Sequence, residues 1–154
     1  MNIKRNSKMI PGSNHHAPLI LVVEDEPDNL ILISHTLIFL KYNFITTTDG
    51  RTALELATNY KIDLILLDLV LPDINGFELV NRLKKAKSTK NIPIIALTAL
   101  ARKQDRDRAL SSGCNDYLSK PYLIDDLDRK IRQFFASLSQ SCFNYQPIAL
   151  TVSH

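Results

Sequence analysis

Six polar residues stand just past four short predicted strands, and their types suit one kind of chemistry. Glu24, Asp25 and Glu26 follow Leu19 to Val23, Asp68 follows Ile62 to Leu67, Thr98 follows Ile92 to Leu97, and Lys120 follows Asp116 to Ser119. Carboxylates gathered in one place repel one another and raise each other's pKa unless a cation sits among them. A hard divalent ion such as Mg²⁺ answers that repulsion, because it takes oxygen from one or two carboxylates, keeps several waters and leaves positions for phosphate oxygens. The Lys120 ammonium and the Thr98 hydroxyl then read as a charge and a hydrogen-bond donor aimed at an anion beside the metal. The chemistry that fits is phosphoryl transfer to a carboxylate, with Asp68 as the attacking group.

These residues meet only if the apolar runs lie side by side. Segments with the spacing of one helix face lie between and after the strands: Leu30, Ile33, Leu37 and Leu40; Ala53, Leu56, Ala57 and Tyr60; Leu79, Val80 and Leu83; and Leu123, Leu127, Ile131, Phe134 and Leu138; Arg102 to Ser112 makes the weakest helix. Phe44 to Thr46 is a further short strand, Asp49-Gly50 a turn or helix cap, Pro93 is tolerable at a strand's start, and Gly113 stops the fourth helix. Five strands alternating with five helices, the strands almost continuously apolar, predict a parallel sheet covered on both faces. Ligands of such sheets bind beyond the carboxyl ends of the strands, where the six polar residues stand.

The remaining composition narrows the classes. Hydrophobic residues are 45% and charged residues 23% of the 154, ordinary for a folded chain. A net charge of +3 is too small to argue for nucleic acid or an anionic membrane. Cys114 and Cys142 are far apart, outside any metal-ligand spacing, and read as reduced thiols. No run reaches the ~20 apolar residues of a membrane span and no secretory leader is visible, so the expected location is cytoplasmic. The expected organisation is a flexible arm over 1–17, one domain over 18–138 and a tail over 139–154. His15-His16 reads as solvated, His35 has no surroundings that suit a phosphodonor, and the basic runs Lys84 to Lys87 and Arg102 to Arg108 read as solvated helix faces.

Four stretches in order, VVEDEP at Val22 to Pro27, LLDLVLPDING at Leu66 to Gly76, ALTA at Ala96 to Ala99 and DYLSKPY at Asp116 to Tyr122, resemble the receiver domain of bacterial response regulators over about residues 18–138. The resemblance implies a flavodoxin-like (βα)5 fold, doubly wound, with strand order 2-1-3-4-5. It also implies Asp68 as phosphoacceptor, Asp25 as a direct Mg²⁺ ligand, Glu24 acting on the metal mainly through water, and the Val70 backbone carbonyl completing the protein ligands. Thr98 becomes the switch hydroxyl, Lys120 the phosphoryl-binding lysine, Tyr117 the aromatic whose pose reports the state, and Lys120-Pro121 a cis bond. Many receivers carry Asp where Glu24 stands, so the extra methylene bears on metal affinity or phosphoryl lifetime. Val70 and Leu100 are apolar, which predicts slow self-dephosphorylation.

The implied role is a single-domain, phosphorylation-gated binding module, not an enzyme. Its donor would be a sensor histidine kinase or histidine phosphotransfer protein, and its output a downstream protein effector or a phosphorylation-dependent homodimer, with neither nucleic acid nor membrane as partner. Three other readings stand beside it. A phosphorylation-independent docking scaffold needs no working site, and the intact acidic set argues against it. An aspartyl phosphohydrolase needs a second acid two residues past the nucleophile, where Val70 stands. A nucleotide-binding flavodoxin-like domain would need a phosphate cradle after the first strand, which Glu24-Asp25-Glu26 would repel.

Overall fold

The computed structural model describes residues 17–139; residues 1–16 of the expected arm, with His15-His16, and residues 140–154 of the expected tail, with Cys142, lie outside the described residues. Ten elements alternate: β1 (Leu19–Val23), α1 (Pro27–Phe39), β2 (Asn43–Thr47), α2 (Gly50–Asn59), β3 (Leu64–Leu67), α3 (Gly76–Lys85), β4 (Ile94–Thr98), α4 (Lys103–Ser112), β5 (Asp116–Ser119) and α5 (Ile124–Ser139). The strands pair in parallel in the order β2-β1-β3-β4-β5, the order the resemblance implies. No helix among the described residues is long and apolar enough to cross a membrane.

The sheet has two apolar faces because both are covered. Leu21, Val23, Ile65, Leu67, Ile94 and Ala96 pack with residues of α2, α3 and α4; Ile20, Val22, Leu64, Leu66, Ile95 and Leu97 pack with α1 and α5. Side chains alternate along a strand, so each strand serves both cores and has no polar side to show water. Every residue of β1 beyond Leu19, and all of β3 and β4, is buried.

Several boundaries differ from the expectation. β3 begins at Leu64 rather than Ile62, because the Asp63 carboxylate turns back to accept the Leu19 amide (2.8 Å). Pro93 lies just before β4, where its carbonyl accepts the Ile65 amide. Tyr60 stands at the C-cap of α2 while packing on the same core as Ala53, Leu56 and Ala57, and Leu123, placed on the last helix face, precedes α5 and is 70% exposed. Lys84 is not a solvated residue: its ammonium donates to the Ile92 carbonyl and Asn115 Oδ1. Arg108 is likewise engaged, its guanidinium 4.0 Å from the centre of the Phe77 ring.

Candidate functional site

Alternation along the strands decides which side chains meet beyond them. Glu24 continues the series Ile20, Val22; Asp68 continues Leu64, Leu66; Lys120 follows Leu118 by two, and all three series face α1 and α5. Their heads converge in a cleft of about 430 Å³ floored by Val22, Leu66 and Leu97 and flanked by Asn29 and Tyr122. Lys120 Nζ donates to Glu24 Oε2 at 2.7 Å and to Asp68 Oδ2 at 2.9 Å. The Lys120-Pro121 bond after it is cis, as the resemblance implies.

Glu24 and Asp68 are buried, whereas Asp25 is more open, and oxygens of the three lie within 4.8 Å of one another. Burial raises the Glu24 pKa more than the Lys120 hydrogen bond lowers it, and the neighbouring Asp68 charge adds to the rise. Burial also works against the Lys120 ammonium, but hydrogen bonds to Glu24 and Asp68 outweigh it and the Lys120 pKa is raised. Two buried carboxylates thus share one ammonium, and a third carboxylate stands at the rim. An all-oxygen set with surplus negative charge and an open side fits a hard divalent cation.

The two buried carboxylates are held by more than Lys120. Asp68 Oδ1 accepts the Val70 amide at 2.9 Å, which ties the nucleophile candidate to the loop that carries the Val70 carbonyl. Glu24 Oε1 accepts from the Glu26 amide and from Asn29 Nδ2, both at 3.3 Å. The sequence reading missed Asn29; its signal was its place in the first turn of α1, within reach of the β1 end. The acidic turn does not cap α1 through side chains: Glu26 at the N-cap makes no such bond, and Pro27 begins the helix.

Thr98 stands apart from this cluster. Its position continues Ile94 and Ala96 toward the α3 and α4 face, it is fully buried, and its hydroxyl accepts the Leu100 amide at 3.3 Å. Only its backbone reaches Lys120, whose amide donates to the Thr98 carbonyl. Tyr117 pairs with Ala96 across β4 and β5 and packs on the same core, so it shares Thr98's side of the sheet. The Tyr117 hydroxyl is enclosed without a hydrogen-bond partner among the described residues, and burial together with the Asp105 charge raises its pKa. The candidate site is therefore two-sided, with the carboxylate–lysine cluster on one face of the sheet and the Thr98–Tyr117 pair on the other.

The family model of the response regulator receiver domain matches residues 20–132. The chain is 36% identical over 115 residues to the polar-differentiation response regulator DivK of Brucella anthropi, covering 75% of this chain and 94% of DivK. It is 36% identical over 115 residues to the DNA-binding dual master transcriptional regulator RpaA of Synechocystis sp., covering 75% of this chain but only 48% of RpaA, so it spans about half of that relative. Among solved structures, the receiver domain of the sensor histidine kinase PA1611 from Pseudomonas aeruginosa, with a magnesium ion coordinated in its active site cleft, superimposes with a TM-score of 0.73. That pair is 35% identical and covers 79% of this chain and 99% of the other.

Proposed function

The chain belongs to the response regulator receiver domain family of two-component systems, and from that premise we propose that Asp68 is its phosphoacceptor and that Glu24, Asp25, Asp68 and the Val70 carbonyl hold Mg²⁺. The observation that carries this reading is the convergence of Lys120 Nζ on Glu24 and Asp68, 2.7 and 2.9 Å away, from segments 96 and 52 residues distant in sequence. Held by these groups, Mg²⁺ would supply positive charge that offsets the negative charge of the phosphoryl group. Asp68 Oδ2, the oxygen that Lys120 already reaches, attacks phosphorus while the donor's bond to phosphorus breaks and the leaving group departs with its electron pair. Lys120 then has an anionic oxygen to pair with in place of the carboxylate charge consumed.

Asn29 and the Glu26 amide keep Glu24 turned toward the cleft, and the Val70 amide fixes one Asp68 oxygen so that the other faces the donor. The donor would be a sensor histidine kinase or a histidine phosphotransfer protein, and the product a receiver that binds a protein effector or a second copy of itself. The Thr98–Tyr117 side of the sheet is the route by which a doubly charged group at Asp68 would reach the α4 and β5 surface.

The test is direct. With Mg²⁺ and acetyl phosphate the protein should gain one phosphoryl group by mass, and Asp68→Asn should abolish the gain. A gain that survives Asp68→Asn, or none in the unaltered protein, overturns the assignment.

A further inference from the structure

The loop between β3 and α3 carries two groups of the proposed site, the Asp68 carboxylate and the Val70 carbonyl, and it is fastened to a helix that contributes nothing else to that site. Asp73 Oδ1 accepts the Gly50 amide at 2.9 Å and Asp73 Oδ2 the Arg51 amide at 3.0 Å. Asp49, the N-cap of the same helix, accepts the Thr52 amide at 2.8 Å, so the first three amides of α2 are divided between its own cap and a carboxylate from another loop. Two backbone donors and a helix N-terminus favour the ionised form, and the Asp73 pKa is accordingly lowered, mainly by the Gly50 bond.

Two further contacts show that the loop rests on α2 rather than beside it. A Cβ on Gly50 would stand 2.0 Å from Ile74 Cγ2, so the Ile74 side chain lies against the bare backbone where α2 begins. At the loop's far end the Gly76 amide donates to the Leu69 carbonyl, and a Cβ there would meet the Leu69 backbone at 2.4 Å. Residues 69–76 therefore form a closed turn, pinned at its base by Gly76 and at its outer side by Asp73. Val70 lies between the two, 54% exposed, its amide bonded to Asp68 Oδ1.

We infer that Asp73 is a positioning residue for the metal site: by gripping the α2 N-terminus it fixes the loop that presents the Val70 carbonyl and the Asp68 oxygen bonded to the Val70 amide. Asp73 is not among the gathered carboxylates Glu24, Asp25 and Asp68, so its role is positional. Its effect should appear as weaker magnesium binding with an intact capacity for phosphorylation, because the donor groups remain and only their placement loosens. This inference rests on the reading of the metal site given above.

Magnesium affinity of the full chain is measured by isothermal titration calorimetry without a phosphodonor, and the magnesium concentration giving half-maximal labelling by acetyl phosphate is measured alongside. Asp73→Ala should weaken Mg²⁺ by about tenfold, the low end of what losing a group that orients a ligand costs. Asp73→Asn, which keeps one good acceptor, should fall between it and the unaltered protein, and both should reach normal labelling at saturating magnesium. Asp49→Ala, which removes the cap of the same helix but leaves the loop contact, should lower the melting temperature without moving the magnesium affinity. Unchanged affinity in Asp73→Ala, or an equal loss in Asp49→Ala, would overturn the inference; if the alanine variant does not fold, the asparagine variant decides it. Failure of Asp68 labelling with magnesium binding and its Asp73 dependence intact would overturn the phosphoacceptor assignment alone, while absence of magnesium binding in the unaltered protein would overturn both.

Discussion

Helices α3 and α4 have ten residues each, and each follows a strand that leads into the site, β3 before Asp68 and β4 ending on Thr98. They are held very differently. α3 buries Gly76, Phe77, Leu79, Val80 and Leu83, and Asn75 caps it by accepting the Phe77 amide. In α4 the buried residue is Ala109, and Arg102 at the N-cap makes no side-chain bond. Few buried apolar contacts place an element at the low-stability end of a fold. The nucleophile candidate is thus followed by an anchored helix, while the buried hydroxyl of Thr98 is followed by one that costs little to displace. That division suits a module in which one loop must hold its groups still and another must respond.

The largest effect should come from attacking the anchored side. Leu79 is fully buried, and Leu79→Ala should cost about 2 to 5 kcal/mol from lost burial and the cavity left behind. Leu110 on α4 is 40% exposed, and Leu110→Ala should stay within about 0.5 kcal/mol. Urea unfolding of both variants measures the contrast, and equal costs would erase it.

Next in size is a pH effect at the junction of α4 and β5. Burial pushes the Cys114 thiol up to about 12, the Lys84 charge opposing weakly. In the unfolded chain the thiol ionises near 8.5. The folded pKa being the higher, this contribution is complete below about pH 8.5 and is lost as pH rises toward 12, at about 1.4 kcal/mol per unit. Comparing the unaltered chain with Cys114→Ala between pH 9 and 10.5 cancels the other lysine and tyrosine ionisations and leaves that of the thiol together with its coupling to Lys84. A parallel pair of curves would mean that the end of α4 is open to solvent and that the weakly held region extends into β5.

A smaller loss should follow Gly113→Ala. Gly113 ends α4 with φ of 119°, a conformation costing an L-residue about 1 to 2 kcal/mol, and its amide and that of Cys114 close the helix on Leu110 and Ala109. A Cβ would also stand 2.8 Å from Lys84 Cγ on α3. Thermal unfolding should show a lowered midpoint with the site's labelling preserved. A loss as large as that of Leu79→Ala would show that α4 is fastened at its end as firmly as α3 is along its length.

The contrast between the helices also marks what could be read from sequence. Apolar runs and helical spacing marked the strands and helices, β1 to the residue, because burial on both sheet faces leaves a signal that needs no partner to interpret, whereas α4, with Ala109 buried, and β5, half-buried throughout, left weaker ones. Asp68, Glu24 and Lys120 were legible as strand-end residues, and the alternation of Leu64, Leu66 and Asp68 explains why they share a face. What sequence could not show is partnership across elements. Asn29 supports Glu24, Asp73 holds α2, and Lys84 reaches the Ile92 carbonyl and Asn115, yet each looked like an ordinary polar residue. Thr98 was placed in the same polar cluster as Lys120, and only the pleat of β4 sends its hydroxyl to the other side.

The smallest predicted effect concerns the contact that joins the two helices. Arg108 of α4 lies over the ring of Phe77, the second residue of α3 and the neighbour of Gly76 at the base of the Asp68 loop. A guanidinium over an aromatic face at an exposed site is worth about 0.5 to 1 kcal/mol. Arg108→Ala should lose about that much, Phe77→Leu more because buried volume also goes, and the double variant should recover the stacking component as a coupling energy. If the coupling is present, α4 is tethered to the rigid side at its middle while its N-terminal turn, nearest Thr98, stays free, and displacement of that turn need not disturb Asp68. If the coupling is nil, α4 is held mainly by Ala109 and its glycine stop among the described residues, and a charge placed at Asp68 would shift the helix as a whole. Urea midpoints for the four proteins distinguish the two.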